Sequence, residues 1–330
     1  MPLFDSHDRI IRDLRISVTD RCNFRCFYCL PNGEPPMARK DTILTFEEIA
    51  YVAEIFVSLG IEKIRLTGGE PLMRKDMTTL ARAIGRLKPA LKDLALTTNG
   101  FIFSELALGL RDAGIDRVTI SLDSLDRDKF ARMTGVDALD KVFAAIEAAK
   151  FAGFDPVKVN AAVIRGHNDG EFVEFARFAR EYGVQMRFIE FMPLDSGHEW
   201  SREMVVPGRE IYDAINDVFP LKLKDTDRGT ATAWKYVFAD GAPGEIGIIA
   251  PVTEMFCGAC SRIRLTADGQ IRTCLFSTTE HNLRDVIRNG ASRAEVVDFI
   301  TAVTLKKEAR HHINDDDFVQ PSRTMSFIGG

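Results

Sequence analysis

The sequence predicts an α/β protein in which parallel β-strands alternate with α-helices, as an open sheet or a closed barrel. Four segments share a pattern of a glycine, an apolar residue, polar residues and a short β-rich run; they are 60–67, 114–121, 153–159 and 183–189. Each glycine ends a stretch with helical apolar spacing, as in 47–59, 139–152 and 171–182, and suits the left-handed residue that ends a helix. With strands at 14–18 and 94–97, the alternation gives six strands, as in parallel α/β folds.

Polar and glycine-rich runs follow five of these strands. They are 19–29, 67–71, 97–100, 121–124 and 191–193. Each run alone is typical of a turn. Because active sites of parallel α/β folds lie at the carboxyl ends of the strands, their recurrence predicts a site at that edge.

The alternation stops near residue 193, which predicts a second domain. We expect a loop at 193–207, a helix near 210–218, short strands over 221–272, and helices near 283–289 and 293–308. The predicted domains are therefore 1–218 and 219–330.

Composition favours an enzyme of the cytoplasm. Hydrophobic residues make up 45% and charged residues 28% of the 330 residues, which is ordinary for a globular enzyme. The net charge of −5 argues against broad nucleic-acid binding, although it leaves room for a local cationic pocket. No apolar run of about 18 residues and no signal-peptide pattern are present, so neither membrane insertion nor secretion is expected. In the cytoplasm, clustered cysteines indicate metal ligands before disulfides.

Cys22, Cys26 and Cys29, the first cysteine trio, lie within eight residues. Three thiolates at this spacing bind one soft metal centre, and no fourth ligand is nearby, since His7 lies fifteen residues upstream. A [4Fe–4S] cluster with one open iron is predicted. A zinc site completed from elsewhere and three unrelated buried thiols are the alternatives.

This motif, with an aromatic residue before its last cysteine, resembles the radical S-adenosylmethionine (SAM) superfamily. The wider run over 14–26, LRISVTDRCNFRC, resembles the GTP 3′,8-cyclase family of molybdenum-cofactor biosynthesis. The resemblance extends to the last residue. It implies an incomplete (β/α)6 barrel of the TIM type over 1–218, closed on its open side by a C-terminal α+β domain that binds an auxiliary cluster and GTP.

The run 67–71, Thr-Gly-Gly-Glu-Pro, is the second motif. Adjacent glycines let the backbone approach a ligand, and exposed carbonyls there accept from an ammonium group such as that of SAM. A lone Gly-Gly-Glu is weak evidence, but one β/α unit after the first trio it matches the superfamily's SAM-binding segment. The resemblance assigns SAM contacts to Tyr28, Gly69, Ser121 and Met192.

Cys257, Cys260 and Cys274, the second cysteine trio, again offer three ligands. Because Cys-x2-Cys commonly builds zinc knuckles, a structural zinc site is the alternative, with His281 as the near candidate for a fourth ligand. The resemblance implies a second [4Fe–4S] cluster whose free iron meets the purine of GTP.

Arg262 and Arg264 alternate on an expected strand, so both face one side and suit a phosphorylated substrate. The resemblance adds Arg15, Arg65, Thr97 and Lys158 as GTP contacts. These residues predict a positive pocket inside an acidic protein.

The chain ends in Gly329 and Gly330, and a terminal double glycine is usually a frayed end. In the family that the chain resembles, it reaches the active site and assists catalysis, so both glycines are predicted catalytic residues. His311 and His312 follow a cationic helix end, where histidine commonly suits the helix dipole, and no catalytic role is expected for them.

The resemblance implies a lyase that uses a radical from SAM to remove the C3′ hydrogen of GTP and to close C3′ onto C8. The product is (8S)-3′,8-cyclo-7,8-dihydroguanosine 5′-triphosphate. Implied partners are GTP, an electron donor and the downstream cyclic pyranopterin monophosphate synthase, with no nucleic acid or membrane; a homodimer is compatible with the sequence. The alternatives are a peptide-modifying radical SAM enzyme with an auxiliary cluster and a non-catalytic zinc- or iron-stabilised binding protein.

Overall fold

The computed structural model describes residues 2–30, 37–195 and 197–329. Its strands are β1 (Asp13–Ser17), β2 (Lys63–Thr67), β3 (Asp93–Thr98), β4 (Arg117–Ser121), β5 (Lys158–Val163), β6 (Gln185–Glu190), β7 (Leu221–Leu223), β8 (Trp234–Phe238), β9 (Glu245–Ile249), β10 (Arg262–Leu265), β11 (Gln270–Arg272) and β12 (His281–Asn282). Its helices are α1 (Phe46–Ser58), α2 (Met77–Gly85), α3 (Phe103–Asp112), α4 (Arg127–Thr134), α5 (Leu139–Phe151), α6 (Phe172–Tyr182), α7 (Gly208–Asn216), α8 (Leu283–Arg288), α9 (Arg293–Thr304) and α10 (Met325–Ile328).

All of these strands join one sheet, in the order β12-β11-β10-β1-β2-β3-β4-β5-β6-β9-β8-β7. The six predicted strands are β1 to β6, and each pairs in parallel with the next. Among the described strands, β7 and β12 end the sheet without pairing to each other, so it does not close into a full barrel. The predicted fold class, an incomplete barrel extended by C-terminal elements, is confirmed.

The C-terminal strands continue the barrel sheet at both of its ends. β9 pairs in parallel with β6, and β10 pairs in parallel with β1. The predicted domain boundary after residue 218 falls between α7 and β7, in a chain whose sheet spans both sides of it. The boundary itself stays a prediction.

Local sequence explains where the elements form. α1 begins at a capping box, in which the side chain of Thr45 accepts from the backbone of Glu48 and Glu48 accepts in return from Thr45. Its apolar face, which includes Ile49, Val52 and Phe56, is fully buried against the sheet. None of the described helices is long and apolar enough to cross a membrane.

Glu190, the last residue of β6, fixes the loop that leads to the second trio. Its carboxylate accepts backbone N–H groups of Gly208 at 2.8 Å, Val252 at 2.9 Å and Thr253 at 3.0 Å, and also the hydroxyl of Thr253. The side chain is almost fully buried. One carboxylate thus joins β6, the start of α7 and the segment that precedes Cys257.

Replacing Glu190 by Gln is expected to destabilise the protein by about 2 kcal/mol, because an amide NH2 would face backbone donors that lose their acceptor. Glu210, whose carboxylate pairs with Arg165 at the exposed surface, is the matched control. Glu210→Gln should cost less than about 0.5 kcal/mol. Equal losses for both variants in chemical denaturation would contradict this role of Glu190.

Candidate active site

A cavity of about 750 Å³ is lined by strands β1 to β6, by the loops that follow them and by C-terminal residues between 228 and 326. Nearly all of the predicted site residues line it, and they are Arg15, Cys22, Cys26, Tyr28, Cys29, Arg65, Gly69, Thr97, Ser121, Lys158, Met192, Cys257, Cys260, Arg262, Arg264 and Cys274. Gly329 lies beside this wall, whereas Gly330 lies outside the described residues. The fold therefore brings residues from most of the chain length to one enclosed space.

The first trio lies on the loop after β1, which packs on the end of α4. Backbone N–H groups of Arg25 and Phe27 donate to the carbonyls of Thr134 and Met133 at 2.8 and 3.1 Å. The sulfur of Cys22 accepts from the backbone N–H of Phe24 at 3.4 Å. These bonds hold the loop against the cavity wall.

The electrostatics of the first trio favour a metal group. Burial raises the pKa of Cys22 to about 11, and burial together with the neighbouring Cys22 thiolate raises that of Cys29 to about 12. Burial, Asp123 and the other two thiols hold the pKa of Cys26 well above its usual range. Three enclosed thiols this close together become stable thiolates only beside a strong positive charge, such as that of bound iron.

In the described ranges, no three His, Cys, Asp or Glu side chains are arranged to hold a single metal ion. The cysteine ligands of an iron–sulfur cluster need not surround one point, because each binds a different iron. The fit to a cluster therefore rests on the donor chemistry. Three thiols lie on one loop, and each ionised thiol raises the pKa of its neighbours.

The Gly-Gly-Glu segment packs on the chain just before Cys22. The N–H groups of Gly69 and Glu70 donate to the carbonyls of Thr19 and Arg21 at 2.8 and 2.7 Å. A Cβ at Gly69 would lie 2.3 Å from the carbonyl oxygen of Arg21, so only glycine fits there. The absence of a side chain at Gly69 therefore lets the Gly-Gly-Glu segment contact the backbone just before Cys22.

Glu70 joins this segment to the loop after β3. Its carboxylate accepts from the hydroxyl of Thr98 at 2.8 Å and from backbone N–H groups of Asn99 and Leu72 at 2.6 and 3.0 Å. Burial raises the pKa of Glu70 to about 7, although these hydrogen bonds oppose the shift. Glu70 thus fixes two loops beside the first trio.

Tyr28 is held by Asp123, a residue that sequence reasoning did not select. The phenol donates to one Asp123 oxygen, and the other accepts from the backbone of Ala162 at 2.9 Å. Burial raises the pKa of Asp123 to about 6. The Tyr28 ring also packs edge-on against Phe191, so its position on the cavity wall is fixed.

Arginines occupy the same level of adjacent strands. Arg15 is in register with Arg65 on β2 and with Arg264 on β10. Burial, reinforced by neighbouring cations, lowers the pKa of Arg15 to about 9 and that of Arg65 to about 10, and holds that of Arg264 well below its usual range. Like charges gathered in this way favour an anionic ligand.

Lys158 adds to this cationic wall. Burial, and then repulsion by Arg117, Arg187 and Arg65, lowers its pKa to about 6. Among the residues that the structure describes, neither Lys158 nor Arg15 forms a side-chain hydrogen bond or ion pair.

Arg187 and Asn160 are site residues that sequence reasoning missed. Arg187 lies in register with Asn160, and burial lowers the pKa of its guanidinium to about 10. The side-chain oxygen of Asn160 is buried and has no hydrogen-bond partner among the described residues. The sequence did contain a signal for Arg187. It is a cation within the predicted strand 183–189, just as Arg15, Arg65 and Lys158 are cations within other predicted strands.

The second trio lies between the N-terminal segment and the end of the chain. Arg9 donates to the carbonyl of Cys257 at 2.8 Å. Burial raises the pKa of the Cys260 thiol, but the positive charges of Arg262, Lys307 and Arg9 outweigh it, so the pKa falls to about 7. A thiolate at Cys260 is therefore accessible near neutral pH, as metal binding requires.

The C-terminal residues pack inside the fold. Arg264 donates to the carbonyl of Gly329 at 2.8 Å, and Arg323 forms ion pairs with Asp268 and Glu280 at 2.8 and 2.9 Å. A Cβ at Gly329 would lie 2.8 Å from Thr67 Cγ2. Within the described range, the tail up to Gly329 therefore lies against β1 and β2.

Curated relatives align with the whole chain. The GTP 3′,8-cyclase of Mycolicibacterium smegmatis is 44% identical over 100% of this chain and 92% of its own length. Those of Rhodopirellula baltica and Streptomyces coelicolor are 43% and 42% identical, each over 99% of this chain and over 92% and 96% of their own lengths. The chain belongs to the GTP 3′,8-cyclase family.

Two family models agree with this membership. The radical SAM superfamily model matches 16–179, and the Molybdenum Cofactor Synthesis C model matches 184–313. Membership of the radical SAM superfamily implies that this chain uses SAM and a [4Fe–4S] cluster, as the first trio predicts.

Two solved structures share the fold at low identity. Streptococcus suis SuiB bound to precursor peptide SuiA superposes with a TM-score of 0.62 at 15% identity, over 84% of this chain and 63% of its own. Native anSMEcpe with bound AdoMet gives a TM-score of 0.56 at 15% identity, over 91% and 82%. At this identity the likeness concerns the fold alone.

Replacing Lys158 by Met is expected to stabilise the nucleotide-free protein, most strongly at low pH. The folded ammonium loses its proton near pH 6, whereas an unfolded lysine keeps it to pH 10.5. The cost of enclosing the cation is therefore full below pH 6 and shrinks as the pH rises toward 10.5. Thermal unfolding of anaerobically reconstituted protein at about pH 6 and about pH 9 is the measurement.

The matched control is Lys141→Met, at an exposed position of α5. It should change the thermal midpoint little at either pH. A Lys158→Met effect that is absent at the lower pH, or equal at both, would contradict an enclosed and uncompensated ammonium.

Proposed function

We propose that this chain is a GTP 3′,8-cyclase, a lyase that converts GTP to (8S)-3′,8-cyclo-7,8-dihydroguanosine 5′-triphosphate in molybdenum-cofactor biosynthesis. The observation that carries the proposal is a cationic cavity lined by both cysteine trios, in a chain 42–44% identical to named cyclases over its full length. Isolated arginines are common on surfaces, but enclosed and unpaired cations beside two sets of thiols need both an anion and a metal.

The first trio holds the [4Fe–4S] cluster, and Tyr28, Gly69, Ser121 and Met192 contact SAM. The bound cluster and SAM together supply the radical chemistry of the superfamily. The chain positions the residues that contact SAM. Asp123 fixes the Tyr28 ring, and Glu70 fixes the Gly-Gly segment. The barrel strands surround the reacting ribose and limit its contact with other hydrogen donors.

GTP binds to the cationic wall formed by Arg15, Arg65, Thr97, Lys158, Arg262 and Arg264. The triphosphate supplies the negative charge that the wall lacks, so binding removes the repulsion among its cations. A phosphate beside Lys158 raises the pKa of its amine from the lowered value of about 6, so binding favours uptake of a proton there. Positioning of the ribose near SAM then follows from contacts at the phosphates and the base.

The second trio holds a second [4Fe–4S] cluster that contacts the purine. Support comes from the enclosed thiols, from the low pKa of Cys260 and from the adjacent arginines. An electron donor, the downstream synthase and a cytoplasmic location remain expectations, as does a homodimer. The likeness to SuiB does not favour peptide modification, because 15% identity concerns the fold alone.

Anaerobic reconstitution is expected to give a brown protein with about eight irons per chain. Replacing the first trio by Ala should remove about half of the iron and all SAM cleavage. Replacing the second trio should remove the other half and abolish cyclisation while SAM still binds. Iron analysis, SAM binding and mass analysis of the nucleotide products measure these outcomes.

A colourless protein with stoichiometric zinc would overturn the radical assignment. Cyclisation by the second-trio variant would instead show that the second trio has only a structural role. The assignment of a [4Fe–4S] cluster to the first trio would not be affected.

Deleting Gly329 and Gly330 is expected to lower cyclisation at least about a hundredfold while iron content and thermal midpoint change little. Glycines bury no apolar side chain, so their loss affects positioning more than stability. A synthetic peptide with the same last residues, added in excess, should restore part of the activity because the site is preserved.

Gly329→Ala tests the same point without truncation, since its Cβ would meet Thr67 and its φ is +81°. Gly170→Ala is the matched control, because open space surrounds that glycine. Full cyclase activity in the truncated protein would show that the last two glycines have no role in catalysis.

A further inference from the structure

Arg323 attaches the terminal segment, residues 323–329, to the β10–β11 hairpin. Both terminal nitrogens of its guanidinium donate to the carboxylate of Asp268, each at 2.8 Å, and Nη2 also lies 2.9 Å from Glu280 Oε2. Asp268 lies in the turn between β10 and β11, and Glu280 lies just before β12. One guanidinium thus binds two carboxylates, and its paired bonds to Asp268 have the defined geometry of a fork.

The two carboxylates that accept from Arg323 are themselves fixed. Asp268 also accepts from the hydroxyl of Thr266 at 2.6 Å, within the same turn. Glu280 also accepts from Arg272 on β11 at 2.6 Å, and Arg272 is only 2% exposed. Because both acceptors are held by groups of the hairpin, the position of Arg323 is set relative to that hairpin.

The same hairpin holds the other end of the terminal segment. Arg264 on β10 donates to the carbonyl of Gly329 at 2.8 Å. Between the two attachments the chain forms α10, and the guanidinium of Arg323 lies over the ring of Phe327, 5.4 Å from its centroid. Since both attachments belong to one hairpin, the pairing of Arg323 fixes where Gly329 lies relative to Arg264.

Apolar packing is the other force on this segment. Ile328 is fully buried in a cluster that includes Leu194 and Val205, and Phe327 is 9% exposed. Apolar burial is non-directional, and a helix of four residues is too short to be stable alone. Packing therefore favours burial of the segment without fixing its exact placement, which the directional bonds of Arg323 supply.

We propose that Arg323 is a positioning residue of the active site, whose pairing with Asp268 and Glu280 holds the terminal segment so that Gly329 meets Arg264. The inference rests on the catalytic role of the last two glycines in the proposed function. Arg323 is not among the residues that line the cavity, so its effect on the reaction passes through the segment that it anchors.

The test uses the full-length, anaerobically reconstituted chain and its Arg323→Gln variant. Amide hydrogen exchange of the C-terminal peptide, followed by mass spectrometry, reports how firmly the terminal segment is held. In the variant this exchange should become at least about tenfold faster, because the segment opens more often. Cyclisation should fall at least about tenfold, since misplaced groups lose the reacting geometry. Iron content and SAM binding should not change.

Arg180→Gln is the matched control. The side chains of Arg180 and Arg323 are both 24% exposed. Arg180 also donates twice to one carboxylate, that of Asp240, at 3.1 and 2.7 Å, and lies over the ring of Phe219. It lies on α6 and does not line the cavity, so its loss should change neither the exchange of the terminal segment nor cyclisation.

Arg323→Lys is the conservative variant. A lysine keeps the positive charge but has no planar fork to match the carboxylate of Asp268. Exchange and cyclisation in this variant should therefore lie between those of the parent protein and those of Arg323→Gln. If Arg323→Gln does not fold, the same two measurements on Arg323→Lys decide.

The outcomes separate this inference from the proposed function. A parent protein that does not cyclise GTP would overturn the proposed function, while the exchange measurement would still test the anchoring. Unchanged exchange in Arg323→Gln, or equal changes in Arg180→Gln, would overturn the inference alone. Faster exchange with full cyclisation would overturn the positioning role together with the catalytic role of the two glycines.

Discussion

Enclosed charges of one sign dominate the interior of this fold. Arg15, Arg65 and Arg264 occupy one level of three adjacent strands, and none of them is ion-paired in the described part of the chain. The first trio gathers thiols whose ionisation burial opposes. An interior of this kind is costly when empty and becomes favourable when a polyanion and a metal group bind, so binding and stability are linked. The scaffold must therefore be stable enough to tolerate its own site, and the extensive parallel core provides that stability.

The continuity of the sheet fixes the positions of the two cysteine sites relative to each other. Cys257 and Cys260 lie just before β10, and β10 pairs in parallel with β1, whose end leads into the first trio. Since both strands point the same way, the two trios lie at opposite ends of this strand pair, with Arg15 and Arg264 between them. Two independently folded domains joined by a linker would not hold this distance, whereas adjacent strands of one sheet do. The close register also explains why arginines from residues 15 and 264 share a level.

The sequence alone predicted the local features and the family resemblance, but it did not predict the contacts between distant parts of the chain. The six strands and the cysteine spacing follow from patterns within short segments, which is why they were predictable. Asp123 was within a recognised run, but its bond to Tyr28 joins residues 95 positions apart, and no local pattern reveals it. His281 was the near candidate for the fourth ligand of the alternative zinc site, because it lies seven residues after Cys274. His281 lies on β12 and is not among the residues that line the cavity.

Arg264 shows how the tail and the substrate can depend on one group. Its guanidinium has five N–H donors, and the carbonyl of Gly329 uses one of its nitrogens, Nη1. In the described part of the chain the other donors of Arg264 make no hydrogen bond, so the tail does not need to leave when a nucleotide enters. A carbonyl carries no net charge, so it satisfies hydrogen bonding without neutralising the guanidinium, and the attraction for a polyanion is retained. The tail is thereby held at the site by the same cation that favours substrate, which links tail position to occupancy of the cavity.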